Sequence, residues 1–341
     1  MINFFFFKKN IINLIVNFFV YITNINLYFL NKDKKRYFYN HSLGFGDSFI
    51  YYLRNYKKIY NRNNFALSFG FATFQSISFF FPKKKIRKIL IPLPQNFYYR
   101  TVNILKKSKN FKPKIFGTVL KEYQFNNTVH YKNLIINSLK KFKISGEIKK
   151  LTKNRYVCLF IKHYNDNPND ISGASIRQTA NLDTIKKIFF FLKKKNINTV
   201  VLGLDSDKSV EAFKNFVKKN NLKENVFFLN SISKNYLIQD QVYIAEKSIG
   251  YIGSTSGPAT LFYFLRKKII ILNCPNDQEI PHGNNPKLEM KFIKYLYKYI
   301  KYKKKKIILK TDLIKNYNSS IYETSLIVIK KNINNFLLKN K

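Results

Sequence analysis

The chain is predicted to adopt an α/β fold with two domains that face a cleft, each built on a parallel, doubly wound sheet. From Arg155 onward, short apolar runs alternate with helix-like segments, which indicates parallel βαβ units with right-handed crossovers. The 341 residues, 45% of them hydrophobic, are enough to form the cores of two domains of ordinary size. The polar segment 145–154 is interpreted as the hinge, which places the domains at residues 36–150 and 151–320.

Strands and helices are assigned from apolar periodicity and from flanking turn residues. In the first half, strands are predicted at residues 36–40, 65–69 and 86–91, and helices at 47–59, 71–80, 97–107 and 131–142. In the second half, strands are predicted at 156–162, 199–204, 226–229, 248–252 and 268–273. Helices are predicted between them at 181–195, 209–220, 234–247 and 259–266, with a C-terminal helix at 321–341. Ligands of such sheets bind beyond the carboxyl ends of the strands, so the loops at those ends are the candidate binding loops.

The formal net charge of +44 is a second prominent feature of the chain. Of the 62 basic residues only eight are arginine, and the lysines occur throughout the sequence beside abundant Asn, Ile, Phe and Tyr. This pattern indicates a compositional bias at all positions, so nucleic-acid binding is disfavoured and attraction to anionic lipid or to a charged sugar nucleotide is favoured. Two cysteines in apolar runs indicate buried thiols, and four scattered histidines disfavour a zinc site.

The N-terminal segment, residues 1–35, is predicted to form an apolar, membrane-associating helix. Residues 10–31 carry no charge and are flanked by basic residues, while Asn13, Asn17 and Asn24 draw a polar stripe along one side. These features favour a helix that lies in the membrane interface over one that spans the bilayer. A cleaved signal peptide is disfavoured because no small-residue cleavage site follows. A buried first helix of a soluble fold is the alternative.

A loop of five small residues follows the apolar run at residues 247–252. Its members are Gly253, Ser254, Thr255, Ser256 and Gly257. Pro258 comes next, and proline suits the first turn of a helix. Small side chains let a ligand approach the backbone, while hydroxyl and N–H groups at a helix start bind anions. The loop is therefore a candidate site for a phosphate or diphosphate, with a serine-rich cap on an ordinary helix as the alternative.

A second loop that contains glycine, residues 41–48, follows the first predicted strand. Gly44 and Gly46 allow a tight turn, and Asp47 stands at the predicted start of the next helix. The helix dipole favours the carboxylate form there, and a carboxylate at this place could take a proton from an acceptor hydroxyl. Asp47 is therefore the candidate general base, with His41 as the second choice. A capping role for Asp47 and a structural role for His41 are the alternatives.

The polar loop after the strand at 156–162 supplies further candidates. Arginine is scarce in this lysine-rich chain, so Arg177 in a polar loop suggests a bidentate contact with a diphosphate. A surface arginine without a role is the alternative. His163 lies in the same loop and is a further candidate. Asp205 follows the next strand and could contact ribose hydroxyl groups, although capping of the next helix is favoured.

These segments occur in an order that carries a resemblance. The order is a His-x-x-x-Phe-Gly-Asp loop at 41–47, Arg177, Asp240 and Ala245 on one helix, Gly-Ser-Thr-Ser-Gly at 253–257, and Asn273 at the end of the last strand. In this order, over residues 36–285, the chain resembles a family of bacterial glycosyltransferases associated with surface-polysaccharide synthesis. That family is similar at fold level to two-domain GT-B transferases, among them the heptosyltransferases. The resemblance implies a GT-B-like fold with two Rossmann-like domains, and it adds Asn273 to the candidate site.

The resemblance and the candidate residues predict a glycosyltransferase that moves a sugar from a nucleotide-sugar donor to a glycan or lipid-linked acceptor. Arg177 and the loop at 253–257 are expected to hold the donor, and Asp47 is expected to serve the acceptor in the N-terminal domain. No metal or other cofactor is predicted, because Asp205–Asp207 is the only Asp-x-Asp triplet. The expected location is the cytoplasmic face of the inner membrane. The alternatives are a nucleotide-sugar epimerase of the same fold and a non-catalytic basic protein that binds membranes or nucleic acid.

Overall fold

A computed structural model describes most of the chain from residue 36 onward. The described residues are 36–39, 45–61, 64–68, 71–88, 111–113, 128–161, 180–202, 208–233, 237–254, 257–274, 291–302, 305–308 and 321–339. The chain divides into two compact units, Met1–Val119 and Leu120–Lys341. The predicted N-terminal helix and the predicted helix at 97–107 lie outside the described residues. Among the described helices, none has both the length and the apolar character that crossing a bilayer requires.

The first unit contains a four-stranded parallel sheet. Its strands are β1 (Arg36–Tyr39), β2 (Asn64–Ser68), β3 (Ile86–Lys88) and β4 (Phe111–Pro113). They lie in the order β3-β2-β1-β4, so the chain first builds the sheet to one side of β1 and then returns to its other side. The helices are α1 (Phe45–Arg54), α2 (Tyr56–Tyr60) and α3 (Phe71–Phe80).

Aromatic side chains form much of the described core of the first unit. Phe49 of α1 contacts Phe79 and Phe80 of α3, with ring centroids 5.9 and 4.9 Å apart. All three rings are fully buried, and burial of each contributes about 1.5–3 kcal/mol. The single helix predicted at 47–59 is divided at Asn55, whose side-chain amide donates to the Tyr51 carbonyl. The predicted helix is therefore interrupted at Asn55, whose backbone has φ −89° and ψ 8°, although its N–H still donates to the Tyr51 carbonyl at 3.1 Å.

The second unit contains a six-stranded parallel sheet. Its strands are β5 (Tyr156–Phe160), β6 (Asn198–Leu202), β7 (Val226–Phe228), β8 (Gly250–Gly253), β9 (Lys268–Cys274) and β10 (Ile293–Tyr297). The order is β10-β9-β8-β5-β6-β7, and every pair is parallel. The predicted parallel α/β architecture is thus confirmed, and this strand order is the one found in Rossmann-like sheets. Strand β10 was not predicted from the sequence.

Helices cover both faces of this sheet. They are α4 (Thr128–Leu139), α5 (Gly146–Leu151), α6 (Leu182–Lys194), α7 (Lys208–Lys219), α8 (Leu229–Ile232), α9 (Ile238–Lys247), α10 (Gly257–Phe264) and α11 (Leu326–Asn332), the last continuing as a π-helix at Ile333–Leu338. Helices α6, α7 and α11 share one core with alternate residues of β5, among them Val157 and Leu159. Helices α9 and α10 cover the opposite face, where Tyr251 of β8 contacts Phe262 at 5.0 Å.

A small antiparallel sheet is a further addition to the second unit. Its strands are β11 (Tyr299–Tyr302), β12 (Lys305–Ile308) and β13 (Ile321–Tyr322), in the order β12-β11-β13. These strands were not predicted, and they begin immediately after the last parallel strand. The C-terminal helix expected at residues 321–341 is present in shorter form, and it is preceded by β13.

The division between the units differs from the boundary expected at residue 150. Helix α4 packs against α9 and α10, and the ring of its Tyr131 lies 5.5 Å from that of Phe264. The expected hinge at 145–154 is instead mostly helical, since Ser145 caps α5 by accepting a hydrogen bond from the Ile148 N–H. Helices α4 and α5 therefore precede β5 as part of the second unit.

Candidate functional site

The second sheet has one point where its strand order reverses, between β5 and β8. From β5 the chain proceeds outward through β6 and β7, and it then returns to place β8 on the other side of β5. Phe160 at the end of β5 pairs with Gly253 at the end of β8. In parallel sheets, ligands bind beyond the carboxyl ends of the strands at such a reversal. The predicted loop at 253–257 thus begins at the position that this topology favours.

Gly253 has a structural reason to be glycine. A Cβ atom at this position would lie 2.6 Å from the Tyr251 hydroxyl and 2.9 Å from the Phe160 carbonyl oxygen. Tyr251 is fully buried, and its hydroxyl donates to the Ser254 carbonyl at 2.9 Å. The small side chain therefore makes room for the tyrosine ring, which in turn fixes the backbone where the strand ends. The sequence pattern suggested ligand approach as the reason for this glycine and did not indicate the packing requirement.

Two residues, 255 and 256, separate Ser254 at the strand end from the start of helix α10 at Gly257. Ser254 is 2% exposed, and Gly257 and Pro258 form the first turn of α10 while remaining partly accessible. The first turn contains no acidic residue, so the positive end of the helix dipole is not offset there. Thr255 and Ser256 lie outside the described residues. The described part of the predicted loop thus combines a strand end, a buried serine and a helix start suited to an anion.

Helix α6, which follows β5 in sequence, has a different environment at its start. Its cap residue Asn181 accepts a hydrogen bond from the Thr184 N–H through its side-chain oxygen, at 2.7 Å. The Asn181 backbone N–H and side-chain amide both donate to the Glu323 carboxylate, at 3.2 and 3.1 Å. The protein's own carboxylate therefore occupies the anion-binding position at this helix start. The two helix starts after β5 and β8 differ in this respect, and the one after β8 is better suited to an external anion.

Asn273 belongs to the same polar group as Glu323. It is buried near the end of β9 with a φ angle of 49°, and its side-chain oxygen accepts from the Thr324 N–H at 2.8 Å. Asparagine tolerates this left-handed conformation better than most residues. The Thr324 hydroxyl donates to the Tyr297 carbonyl at 3.1 Å. In the described structure Asn273 thus anchors the segment after β13, a structural role that the resemblance did not indicate.

Lys298 follows β10 at the same edge of the sheet. Its side chain is 6% exposed, and burial lowers the pKa of its ammonium group while nearby Glu323 acts in the opposite direction. Its backbone N–H donates to the Cys274 carbonyl at 3.2 Å. The sequence does not single out this lysine, because it is one of 54 in the chain and the strand before it has an interrupted apolar pattern.

Asp240 is a buried carboxylate in the first turn of α9. It is 5% exposed and accepts a hydrogen bond from the Ser233 hydroxyl at 2.5 Å. Burial raises its carboxyl pKa, while the Ser233 hydrogen bond acts in the opposite direction. The Ser233 hydroxyl oxygen also accepts from the Leu237 N–H at 3.3 Å, which fixes the turn into α9. Because α9 follows β7, its start lies toward the carboxyl edge of the sheet.

In the first unit, Asp47 and Gly46 lie in the first turn of α1. The helix begins at Phe45, two residues before the predicted start, so Asp47 is its third residue and not its cap. The helix therefore begins two residues earlier than predicted, and Asp47 does not occupy the cap position that was the alternative to a catalytic role. A carboxylate in the first turn still interacts favourably with the helix dipole. His41 and Gly44 lie outside the described residues. So do three candidates of the second unit, namely His163, Arg177 and Asp205.

The remaining titratable groups of the described residues do not form a further cluster. No group of three or more His, Cys, Asp or Glu side chains among these residues is arranged to hold a metal ion. Cys158 and Cys274 are both buried free thiols. Burial raises the pKa of the Cys158 thiol, which disfavours the reactive thiolate.

No protein-family model matches this chain, and no curated protein matches it either.

Proposed function

We propose that the chain is a glycosyltransferase that moves a sugar from a nucleotide-sugar donor to a glycan or lipid-linked acceptor in surface-polysaccharide synthesis. The observation that carries the proposal is the paired carboxyl ends of β5 and β8 at the reversal of strand order. Nucleotides bind at this position in Rossmann-like sheets. The resemblance of the sequence to surface-polysaccharide glycosyltransferases narrows the proposal from nucleotide binding to sugar transfer.

The donor diphosphate is proposed to bind at the start of α10. That helix start has no acidic residue in its first turn, whereas the Glu323 carboxylate already occupies the start of α6. The N–H groups of the first turn and the hydroxyl groups of Ser254, Thr255 and Ser256 would supply donors to phosphate oxygens. Arg177 would add a bidentate, charge-assisted contact. Such fixed donors stabilise the negative charge that develops on the leaving diphosphate.

The acceptor is proposed to bind to the first unit, with the two units in a GT-B-like arrangement. Asp47 in the first turn of α1 would take the proton of the acceptor hydroxyl as the sugar is transferred. His41 is the second choice for this role. The reaction would need no metal, because the hydrogen-bond donors and Arg177 at the diphosphate site would stabilise the charge of the leaving diphosphate. The predicted N-terminal helix and the high positive charge suggest that the enzyme works at the cytoplasmic face of the inner membrane.

Nucleotide binding tests the donor site directly. Nucleoside diphosphates should raise the melting temperature of the full-length chain, and Arg177→Ala should weaken their binding roughly 10- to 150-fold, the cost of a lost charge-assisted contact. Arg155→Ala is the matched control, since exposed Arg155 precedes the same strand β5 at the opposite edge of the sheet. Equal thermal shifts for the wild type and Arg177→Ala would exclude Arg177 from the donor site.

The reaction products separate the proposed activity from its alternatives. A glycosyltransferase releases a nucleoside diphosphate when a suitable acceptor is present, whereas an epimerase converts one nucleotide sugar into another without release. Chromatography of nucleotide sugars incubated with the protein and with membrane extracts distinguishes these outcomes. Binding of nucleotide sugars without either product would identify a non-catalytic binding protein.

A further inference from the structure

The small antiparallel sheet brings three large side chains into one row. Tyr299 of the central strand β11 is paired with Ile308 of β12 on one side and with Tyr322 of β13 on the other. Residues directly opposite each other in neighbouring strands share a face of the sheet. The rings of Tyr299 and Tyr322 are stacked, with centroids 5.3 Å apart and planes 12° apart. We refer to Ile308, Tyr299 and Tyr322 as the aromatic row.

The aromatic row is accessible to solvent. Ile308 is 45% exposed and Tyr322 is 37% exposed. Of the seven large hydrophobic side chains that are exposed among the described residues, four lie within 308–328, and Ile327 and Val328 are the other two of these four. Ile327 is the most exposed of all, at 80%. Ile308 and Tyr322, with Tyr299 between them, thus form one exposed apolar surface on the small sheet, which is typical of an interaction surface.

The sequence around this row is rich in lysine. Residues 301–310 contain six lysines and no acidic residue. Lys306 is two residues before Ile308 on β12 and therefore on the same face, and its ammonium group lies 4.6 Å from the centre of the Tyr299 ring. Lys305 and Lys306 are both exposed, and Lys305 lies on the opposite face of β12. Lys306 thus adjoins the accessible aromatic and aliphatic side chains of the row.

We propose that the aromatic row docks on an anionic lipid bilayer. Clusters of four to eight lysines attract anionic headgroups, and tyrosine rings favour the headgroup level of a bilayer. Ile308 would leave water by entering the boundary with the acyl chains. A nucleic acid would use the lysines and tyrosines but would gain little from exposed aliphatic side chains, which have no face for base stacking. A second copy of this surface is excluded as the partner by the repulsion between two lysine clusters.

This inference does not rest on sugar transfer or on the N-terminal segment, and it assigns the membrane contact of the proposed function to a defined surface. A single tryptophan provides the test, because the chain contains none. In full-length Ile308→Trp, tryptophan emission should shift to shorter wavelength when vesicles of phosphatidylcholine and phosphatidylglycerol are added. Vesicles of phosphatidylcholine alone should cause a smaller shift. Phe190→Trp is the matched control, since exposed Phe190 lies on α6, away from the small sheet in sequence, and its emission should not change.

Neutralising the lysines tests the electrostatic part. Each lysine near an anionic surface contributes about a fivefold gain in partitioning. The variant Lys306→Gln should therefore bind anionic vesicles roughly fivefold more weakly than the wild type. Lys218→Gln removes the same charge from the exposed end of α7 and should bind nearly as the wild type does.

Three outcomes would overturn the inference. The first is an unchanged spectrum of Ile308→Trp, or equal shifts at positions 308 and 190. The second is an equal loss of binding in the two lysine variants, which would indicate attraction by diffuse charge. The third is a response of Ile308→Trp to a single-stranded oligonucleotide without a response to anionic vesicles, which would assign the surface to nucleic acid.

Discussion

The two units build their sheets in the same order, but the helix starts that follow their strands differ in whether they carry an acidic residue. In each, the first strand is central, the next two strands extend to one side, and the fourth strand lies on the other side. In the first unit, helix α1 follows the first strand and carries Asp47 in its first turn. In the second unit, α6 follows the first strand and also has an acidic residue, Asp183, in its first turn, whereas α10, after the fourth strand, has none.

This difference indicates why one fold could serve two chemical tasks. A carboxylate at a helix start repels a phosphate and can itself accept a proton from a substrate hydroxyl. A helix start without one favours an anionic ligand. Under the proposed function, the first unit therefore serves the acceptor hydroxyl and the second binds the donor diphosphate. The same topology can support either task, because the side chains at the strand ends decide between them.

The largest expected effect comes from neutralising the carboxylate of the first unit. Asp47→Asn preserves size but cannot accept a proton, so sugar transfer should fall roughly 10²- to 10⁴-fold. The free energy of unfolding should decrease by no more than about 1 kcal/mol, the usual value of a carboxylate near a helix start. Donor binding, measured by thermal shift, should be unchanged. Turnover close to that of the wild type would exclude Asp47 as the general base and leave His41 as the candidate.

Strand β8 offers the next test, because its glycine lies where the second unit is expected to bind the donor. Gly253→Ala places a Cβ atom against the Phe160 carbonyl and the buried Tyr251 ring, and should destabilise the second unit by about 1–3 kcal/mol. Gly146→Ala is the control: no atom lies within 4 Å of its added Cβ, and it should stabilise α5 by about 0.4–1 kcal/mol. Urea unfolding followed by circular dichroism measures both. A neutral Gly253→Ala would show that the tyrosine ring can move aside.

Two substitutions at Asn273 separate the hydrogen bond that anchors the C-terminal segment from the effect of the left-handed backbone conformation. Asn273→Ala loses the hydrogen bond to the Thr324 N–H and places a less tolerant residue at a φ angle of 49°, so it should cost about 2 kcal/mol. Asn273→Gly loses the same hydrogen bond but adopts this conformation freely, so it should cost about 1 kcal/mol. Equal losses in urea unfolding would show that conformation contributes nothing. If either variant also bound nucleotide more weakly while the protein remained folded, Asn273 would belong to the donor site, as the resemblance implies.

The smallest expected effect concerns the pH dependence of the second unit. Burial raises the carboxyl pKa of Asp240 in the folded protein, so the folded state binds this proton more tightly than the unfolded state. The resulting stabilisation is complete below the ordinary carboxyl pKa of about 3.9 and is lost as pH rises through the raised folded value. The stability of the wild type relative to Asp240→Asn should therefore increase as pH is lowered.

Urea midpoints across this acidic range measure that difference. Asp183→Asn is the control, because exposed Asp183 forms an ion pair with Lys187 and its neutralisation should not reproduce the trend. A difference between wild type and Asp240→Asn that does not vary with pH would contradict the assignment of a raised pKa to Asp240.

The sequence predicted the parallel sheet of the second unit well, because its central strands are apolar runs between polar turns. Strands β5, β6 and β9 are buried along most of their length and were found within one or two residues of their ends. Strand β10 escaped prediction because an exposed lysine interrupts its apolar pattern. Strands β11–β13 are only two to four residues long, and lysines interrupt the apolar pattern of β11 and β12, as in a solvated loop.

The candidate site was less predictable because its contacts join distant parts of the chain. Asn181 and Glu323 are 142 positions apart, and no local pattern links them. The packing of Tyr251 over Gly253 is local but depends on which face of β8 each residue occupies and on the neighbouring strand. Conversely, the strand–loop–helix unit at 253–257 was recognisable, since glycine, serine and proline occupy positions with definite backbone requirements.

The contact between Asn181 and Glu323, and the core contacts of the residues that follow Glu323, have a consequence for folding during synthesis. Ile329, Ile333 and Leu337 complete the core that β5, β6 and α6 begin. The earliest strands of the second unit therefore cannot complete their packing until the last residues have been translated. Contacts of such sequence separation slow folding and leave apolar surface exposed in the interim. We therefore expect a nascent chain that ends before residue 321 to need a chaperone, whereas the first unit, complete by residue 119, can fold while translation continues.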